Sequence, residues 1–192
     1  VSLPATVLLV RHAWAGERGS VADDRTRPLD ARGRRQADAL PAHLDSALAA
    51  RGRPGLVDSA AAGTLALCAS PYTRCVDTLV PVAAMTGLAV SEDDRFAETG
   101  PTTRSSDGWP DAAELGARAW CALEAAAGRT PAAGTLVVCA HGEVLPALVA
   151  VLVGQGILAP PTVDLTAKAM AKGATWVVTP AAGLLEELPP PA

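Results

Sequence analysis

The stretch VLLVRHAWAG, residues 7–16, decides the fold. Val7 to Val10 are aliphatic without alternation, the pattern of a strand covered on both faces. Arg11 and His12 follow with no turn residue between. Such a strand end either caps itself in solvent or delivers two polar side chains to a site. Two other runs behave alike: residues 64–68 lead into ASPYTR, and residues 136–140 end at His141-Gly142. In open parallel sheets, ligands bind beyond the carboxyl ends of the strands. The three segments would therefore bring Arg11, His12, Arg74 and His141 to one crevice.

Between these strands the pattern turns helical. Asp30 is a good N-cap for a helix in which Ala37, Leu40 and Leu44 keep helical spacing, and Pro41 is expected to kink or split it. Residues 51–63 read as a connection. Ser70 as N-cap and Pro71 at the first helical position predict a helix to about residue 80, with a further turn after Pro81. Residues 88–90 read as a short strand and 93–110 as a polar loop. A long Ala-rich helix opens at Asp111 and ends near Gly128, and another helix spans about 144–153. Late strands are expected at 175–178 and 184–188, with a frayed Pro-rich end at 189–192. Alternating strands and helices predict an α/β fold: one three-layer α/β/α sandwich over residues 1–192 with a mainly parallel central sheet.

Composition narrows the chemistry. Hydrophobic residues are 49% of the 192, but aromatics only 3%, so Ala, Val and Leu must build the core. With 16 basic and 20 acidic residues the net charge is −4, which argues against nucleic acid as a partner. Any anion must be held by a local cluster of cations. No apolar run of about 18 residues suggests a membrane span, and residues 1–10 read as a first strand rather than a secretory signal. The four scattered cysteines form no CxxC pair and are expected to be buried free thiols, consistent with a cytoplasmic location. No metal-ligand spacing surrounds the histidines. Two imidazoles, two guanidiniums and a helix start suit a phosphoryl group, because Arg presents a planar fork to its oxygens.

VRHA at 10–13, RPLDARGRRQA at 27–37, SPYTRCVDT at 70–78 and VVCAHGEV at 137–144 together resemble the histidine phosphatase superfamily, of phosphoglycerate-mutase-like fold. The RPLDARG form and KGATWVV at 172–178 look most like its short bacterial subgroup. That subgroup holds phosphohistidine phosphatases and the phosphatase half of Nudix-fused proteins acting on nucleotides. No Nudix box is present here, so any Nudix partner would be a separate chain.

The resemblance implies a bacterial hydrolase that needs no metal or cofactor. His12 would be the nucleophile that forms a phosphohistidine. Arg11, Arg74 and Arg27 would clamp the phosphoryl oxygens, His141 would donate to one of them, and Glu98 in RFAETG would be the general acid. Glu17, Asp23 and Asp24 are other acids within reach. The substrate would be a phosphohistidine protein, a nucleotide or a small phosphomonoester. The rival readings are a mutase-type phosphotransferase and a catalytically silent phosphate- or phosphoprotein-binding module. Trp14, Trp109 and Lys172 fall near the site, Trp120 and Trp176 read as core, and His43 has no partner motif. For Glu143, a favourable charge on a helix dipole suffices.

Overall fold

The computed structural model describes residues 2–98, 111–166 and 170–191. Six strands form one sheet: β1 (Thr6–Arg11), β2 (Leu65–Ala69), β3 (Val90–Glu92), β4 (Thr135–Ala140), β5 (Thr175–Thr179) and β6 (Leu184–Leu188). Their order across the sheet is β3-β2-β4-β1-β5-β6. β3, β2, β4 and β1 run parallel, whereas β5 is antiparallel to β1, and β6 to β5. Helices α1 (Ala31–Ala49), α2 (Leu56–Ala61), α3 (Thr73–Thr86), α4 (Ala112–Ala127) and α5 (Val144–Gly154) cover both faces.

The unbroken apolar run of β1 follows from this layering. Leu8 and Val10 pack with Val137 and Cys139 of β4 against Leu40, Leu44 and Leu48 of α1 and Leu79 of α3. Val7 and Leu9 face the other way, with Leu136, Val138 and Trp176, onto Leu123 of α4 and Leu148 of α5. Each such side chain contributes about 1.5–3 kcal/mol by leaving water. Trp176 lies in this core and Trp120 packs against it. No helix among the described residues is long and apolar enough to cross a membrane.

Several expectations need correction. Pro41 does not split α1, and Pro81 lies within a continuous α3. A proline inside a helix costs about 3 kcal/mol, but the buried row Leu40, Pro41, Leu44 and Leu48 holds α1 against the sheet across the missing bond. Residues 51–63 contain α2, anchored by buried Leu56, whose N–H donates to Asp45 Oδ1 (2.7 Å). Strand β3 lies two residues later than expected. Leu88 packs on the core, and the edge pairing is made by the mostly exposed residues after it. Cys121 is exposed, while Cys68, Cys75 and Cys139 are buried, and all four are free. Pro191 is buried beside α1 rather than frayed.

The scarcity of aromatics is met by close helix approach. A Cβ on Gly116 of α4 would stand 2.7 Å from the Ala147 carbonyl oxygen and 2.9 Å from Val151 Cγ2, both on α5. Gly116→Ala is therefore expected to destabilise the fold by about 1–3 kcal/mol, measured by urea unfolding. A change within about 0.5 kcal/mol would show that the two helices are not locked at this crossing.

Candidate active site

The carboxyl end of β1 sits between the ends of β4 and the start of β5. His12 is therefore flanked on one side by residues following β4 and β2, and on the other by the turn entering β5. The His12 N–H donates to the Ala140 carbonyl (3.0 Å), and the N–H of Gly173 approaches the carbonyls of Arg11 and His12. His12 is 5% exposed, and its Nδ1 lies 2.8 Å from the Ala13 carbonyl. A carbonyl only accepts, so Nδ1 carries the proton and Nε2 keeps its lone pair. No described residue bonds to Nε2. Burial, then the charge of Arg74, holds the imidazolium pKa well below 6.5.

The next backbone group is fixed by the SPYTRCVDT segment. Thr78 Oγ1 accepts from the Ala13 N–H (3.0 Å) and donates to the Arg74 carbonyl (2.6 Å). His141 is fully buried, its ring 5.5 Å from that of His12 and 4.8 Å from that of Tyr72. Its Nε2 lies 2.9 Å from Ser70 Oγ and 3.6 Å from Cys75 Sγ. With the Ser70 hydroxyl donating to Nε2, the proton resides on Nδ1, 3.4 Å from Glu98 Oε2 and without a hydrogen bond. Burial, followed by the charges of His12 and Arg74, keeps this ring neutral. Ser70 thus supports His141 instead of capping a helix; α3 begins three residues later, at Thr73.

The cations divide into two groups. Arg74 is completely buried behind the cleft, bonded to Glu98 Oε1 (2.5 Å) and to the Asp24 carbonyl (2.8 Å). Arg27 reaches the cleft wall, but its guanidinium is held by Asp24 Oδ1 (2.7 Å) and the Gly16 carbonyl (2.7 Å). Burial works against the Asp24 carboxylate, but the bond from Arg27 and the charge of Arg74 outweigh it and hold its pKa below the usual range. Arg11 instead donates to the Met170 carbonyl and lies flat over Gly142, where a Cβ would come within 2.5 Å of Arg11 Cζ. Gly142 thus leaves the space that the Arg11 guanidinium occupies. Arg11 Nε, Arg74 Nε and His141 Nδ1 are buried donors without a hydrogen-bond partner among the described residues.

Glu98 is 8% exposed and bridges Arg74, His141 and, at 3.8 Å, Arg18. Burial raises its pKa above 4.5, and the Arg74 charge opposes that only in part. Glu17 lines the same cleft of about 580 Å³, as do Trp14, Glu143 and Lys172. Asp23 is exposed and caps a single helical turn, accepting from the Arg25 N–H (2.9 Å). His43 lies on α1, away from these groups. Trp109 and most of the expected 93–110 loop lie outside the described residues.

Sequence reasoning placed Asp30 as the N-cap but missed the other supports. In RPLDARGRRQA, Asp30 caps α1 by accepting from the Gly33 N–H (2.7 Å), and a Cβ on Gly33 would overlap the Trp14 carbonyl oxygen at 1.8 Å. Gln36 accepts from the Trp14 N–H (3.2 Å) and donates to the Lys172 carbonyl (3.2 Å). The motif is thus a clamp on the loop after His12. The conjunction of a helix-interior Gly with a Gln three residues on was the available signal.

No family model matches the chain. It is 33% identical over 175 residues, 91% of its length, to the 8-oxo-(d)GTP phosphatase of Mycolicibacterium smegmatis, and it spans 44% of that relative. Its structure superposes on a mycobacterial glucosyl-3-phosphoglycerate phosphatase in complex with VO3 with a TM-score of 0.65, at 20% identity, covering 98% of this chain and 99% of the other. SixA from Agrobacterium tumefaciens gives a TM-score of 0.62 at 19% identity, covering 97% and 99%. Near-complete overlap of the sheet and its helices shows that the chain has the phosphoglycerate-mutase-like fold of these neighbours.

Proposed function

We propose that this chain is a phosphatase that works through a phosphohistidine on His12. The observation that carries the reading is the state of His12: neutral, with Nδ1 committed to Ala13 and Nε2 unpaired, its ring 5.5 Å from that of His141 and lining one cleft with Arg11. A lone pair on Nε2 attacks phosphorus, and the bond from phosphorus to the leaving oxygen breaks. The departing oxygen takes a proton from Glu98. Charge spreading over the phosphoryl oxygens is met by Arg11 and His141, with Arg74 behind them. Water then attacks the phosphohistidine and gives its proton to Glu98. The P–N bond breaks, its electrons return to Nε2, and phosphate is released.

The relative named as an 8-oxo-(d)GTP phosphatase makes nucleotides the first substrates to test. A phosphohistidine protein or a small phosphomonoester are the other classes, and a Nudix protein is the partner to test if the substrate is a nucleotide. Retention of the phosphoryl group for a second acceptor would mark a mutase, and binding without turnover would mark a silent module. The unpaired Nε2 and the buried acid favour turnover over a silent module, and phosphate release without an acceptor separates a phosphatase from a mutase.

Three outcomes are expected. His12→Asn lowers kcat by at least about a thousandfold in a phosphate-release assay; a rate within tenfold of the parent would remove His12 from the chemistry. Glu98→Gln slows a phosphate ester with a poor alkyl leaving group by roughly a hundredfold or more, yet slows p-nitrophenyl phosphate far less. Equal losses on both would deny Glu98 the acid's role. The pH profile follows from the two shifts. His12 must be neutral, and its lowered pKa keeps it so below pH 6.5. Glu98 must hold a proton, and its raised pKa keeps one above pH 4.5. Activity on poor leaving groups should peak on the acid side of neutrality and fall as rising pH ionises Glu98, a limb that Glu98→Gln abolishes.

A further inference from the structure

His12 has a second flank, and it is furnished differently from the first. The turn before β5 carries Lys172, which lines the cleft on the β5 side of His12, while His141 and Arg74 lie on the side of β4 and β2. The Lys172 ammonium has no carboxylate partner among the described residues. Its Nζ lies instead over the Trp14 ring, 4.5 Å from the centroid, and the Arg32 guanidinium stands at the same distance from that ring. A cation–π seat positions an ammonium without neutralising it. This contrasts with Arg27 and Arg74, whose guanidiniums are both paired with the Asp24 carboxylate.

The position of this lysine is fixed. Its carbonyl accepts from Gln36, which also holds the Trp14 N–H, and the next residue, Gly173, donates towards the backbone of Arg11 and His12. Gly173 has φ +81°, which favours glycine in this turn. One hydrogen-bonded unit thus sets the ammonium relative to the nucleophile. Partial burial, then the nearby Arg11 charge, disfavours the protonated amine, so an incoming anion would relieve it.

We propose that Lys172 on its Trp14 seat is a specificity-determining residue that binds a second anionic group of the substrate, a phosphate that departs with the leaving group. This rests on the phosphatase reading and extends it to substrates with a phosphoanhydride linkage. During transfer, the His12 Nε2–P bond forms, the P–O bond to the bridging oxygen breaks, and the departing phosphate keeps both electrons against Lys172. A bound monoester would leave the subsite without an anion.

Calorimetric titration tests this without turnover, using orthophosphate and the unhydrolysed diphosphate analogue imidodiphosphate. The parent protein should bind imidodiphosphate at least tenfold more tightly than orthophosphate. Lys172→Met should remove that preference while changing orthophosphate affinity less than threefold, and Lys172→Arg should keep most of it. Trp14→Leu, which leaves the ammonium but removes its seat, should weaken the preference in part. Equal weakening of both anions by Lys172→Met, or no preference in the parent, would overturn the proposal. A chain that shows the preference but releases no phosphate from any ester or anhydride would fail the phosphatase reading and leave the subsite standing.

Discussion

The hydrogen bond between His12 Nδ1 and the Ala13 carbonyl is the constraint on which the rest of the site depends. It decides which nitrogen is free. Thr78 holds the Ala13 N–H, and Gln36 holds the Trp14 N–H. Two separate helices, α3 and α1, therefore converge on the backbone beside one imidazole. The sheet supplies the rigid support: Val7 to Val10 are almost without solvent exposure and are paired on both sides. An imidazole so mounted would lose little freedom on reacting.

Charge is organised around the same point. The protein carries a net negative charge, yet His12 is ringed by cations whose combined effect, with burial, keeps it neutral. Asp24 offsets Arg27 and Arg74, and Glu98 accepts a hydrogen bond from Arg74, which makes it tolerable to bury Arg74 completely. A carboxylic acid is thereby placed beside the second histidine, with its pKa raised by the same burial.

The fold was legible because β1, β2 and β4 are apolar on consecutive positions, and only a sheet with helices on both faces makes use of that. His12, His141, Arg11 and Glu98 do converge in space, as their places at strand ends and in the following loop implied. What stayed hidden was the work of side chains whose types carry no chemical signature. Ser70 looked like a helix cap because Pro71 follows it, but burial beneath His141 gives its hydroxyl a stronger claim. Arg74 looked like an open clamp, and its carboxylate partners come from positions 50 and 24 residues distant in sequence, beyond the reach of local pattern. Gly33 and Gly142 are fixed by what a Cβ would strike, which no periodicity reveals. The prolines misled for the opposite reason: local propensity was outweighed by the packing of α1 and α3.

The central claim is that His12 Nε2 becomes covalently phosphorylated. The direct measurement is a rapid acid-free quench of a single turnover with a radiolabelled phosphate donor, followed by peptide mapping. The account predicts a label stable in base and labile in acid, on the peptide containing His12, appearing and decaying at rates that match turnover. Release of phosphate at the full rate with no labelled His12 at any time point would contradict it.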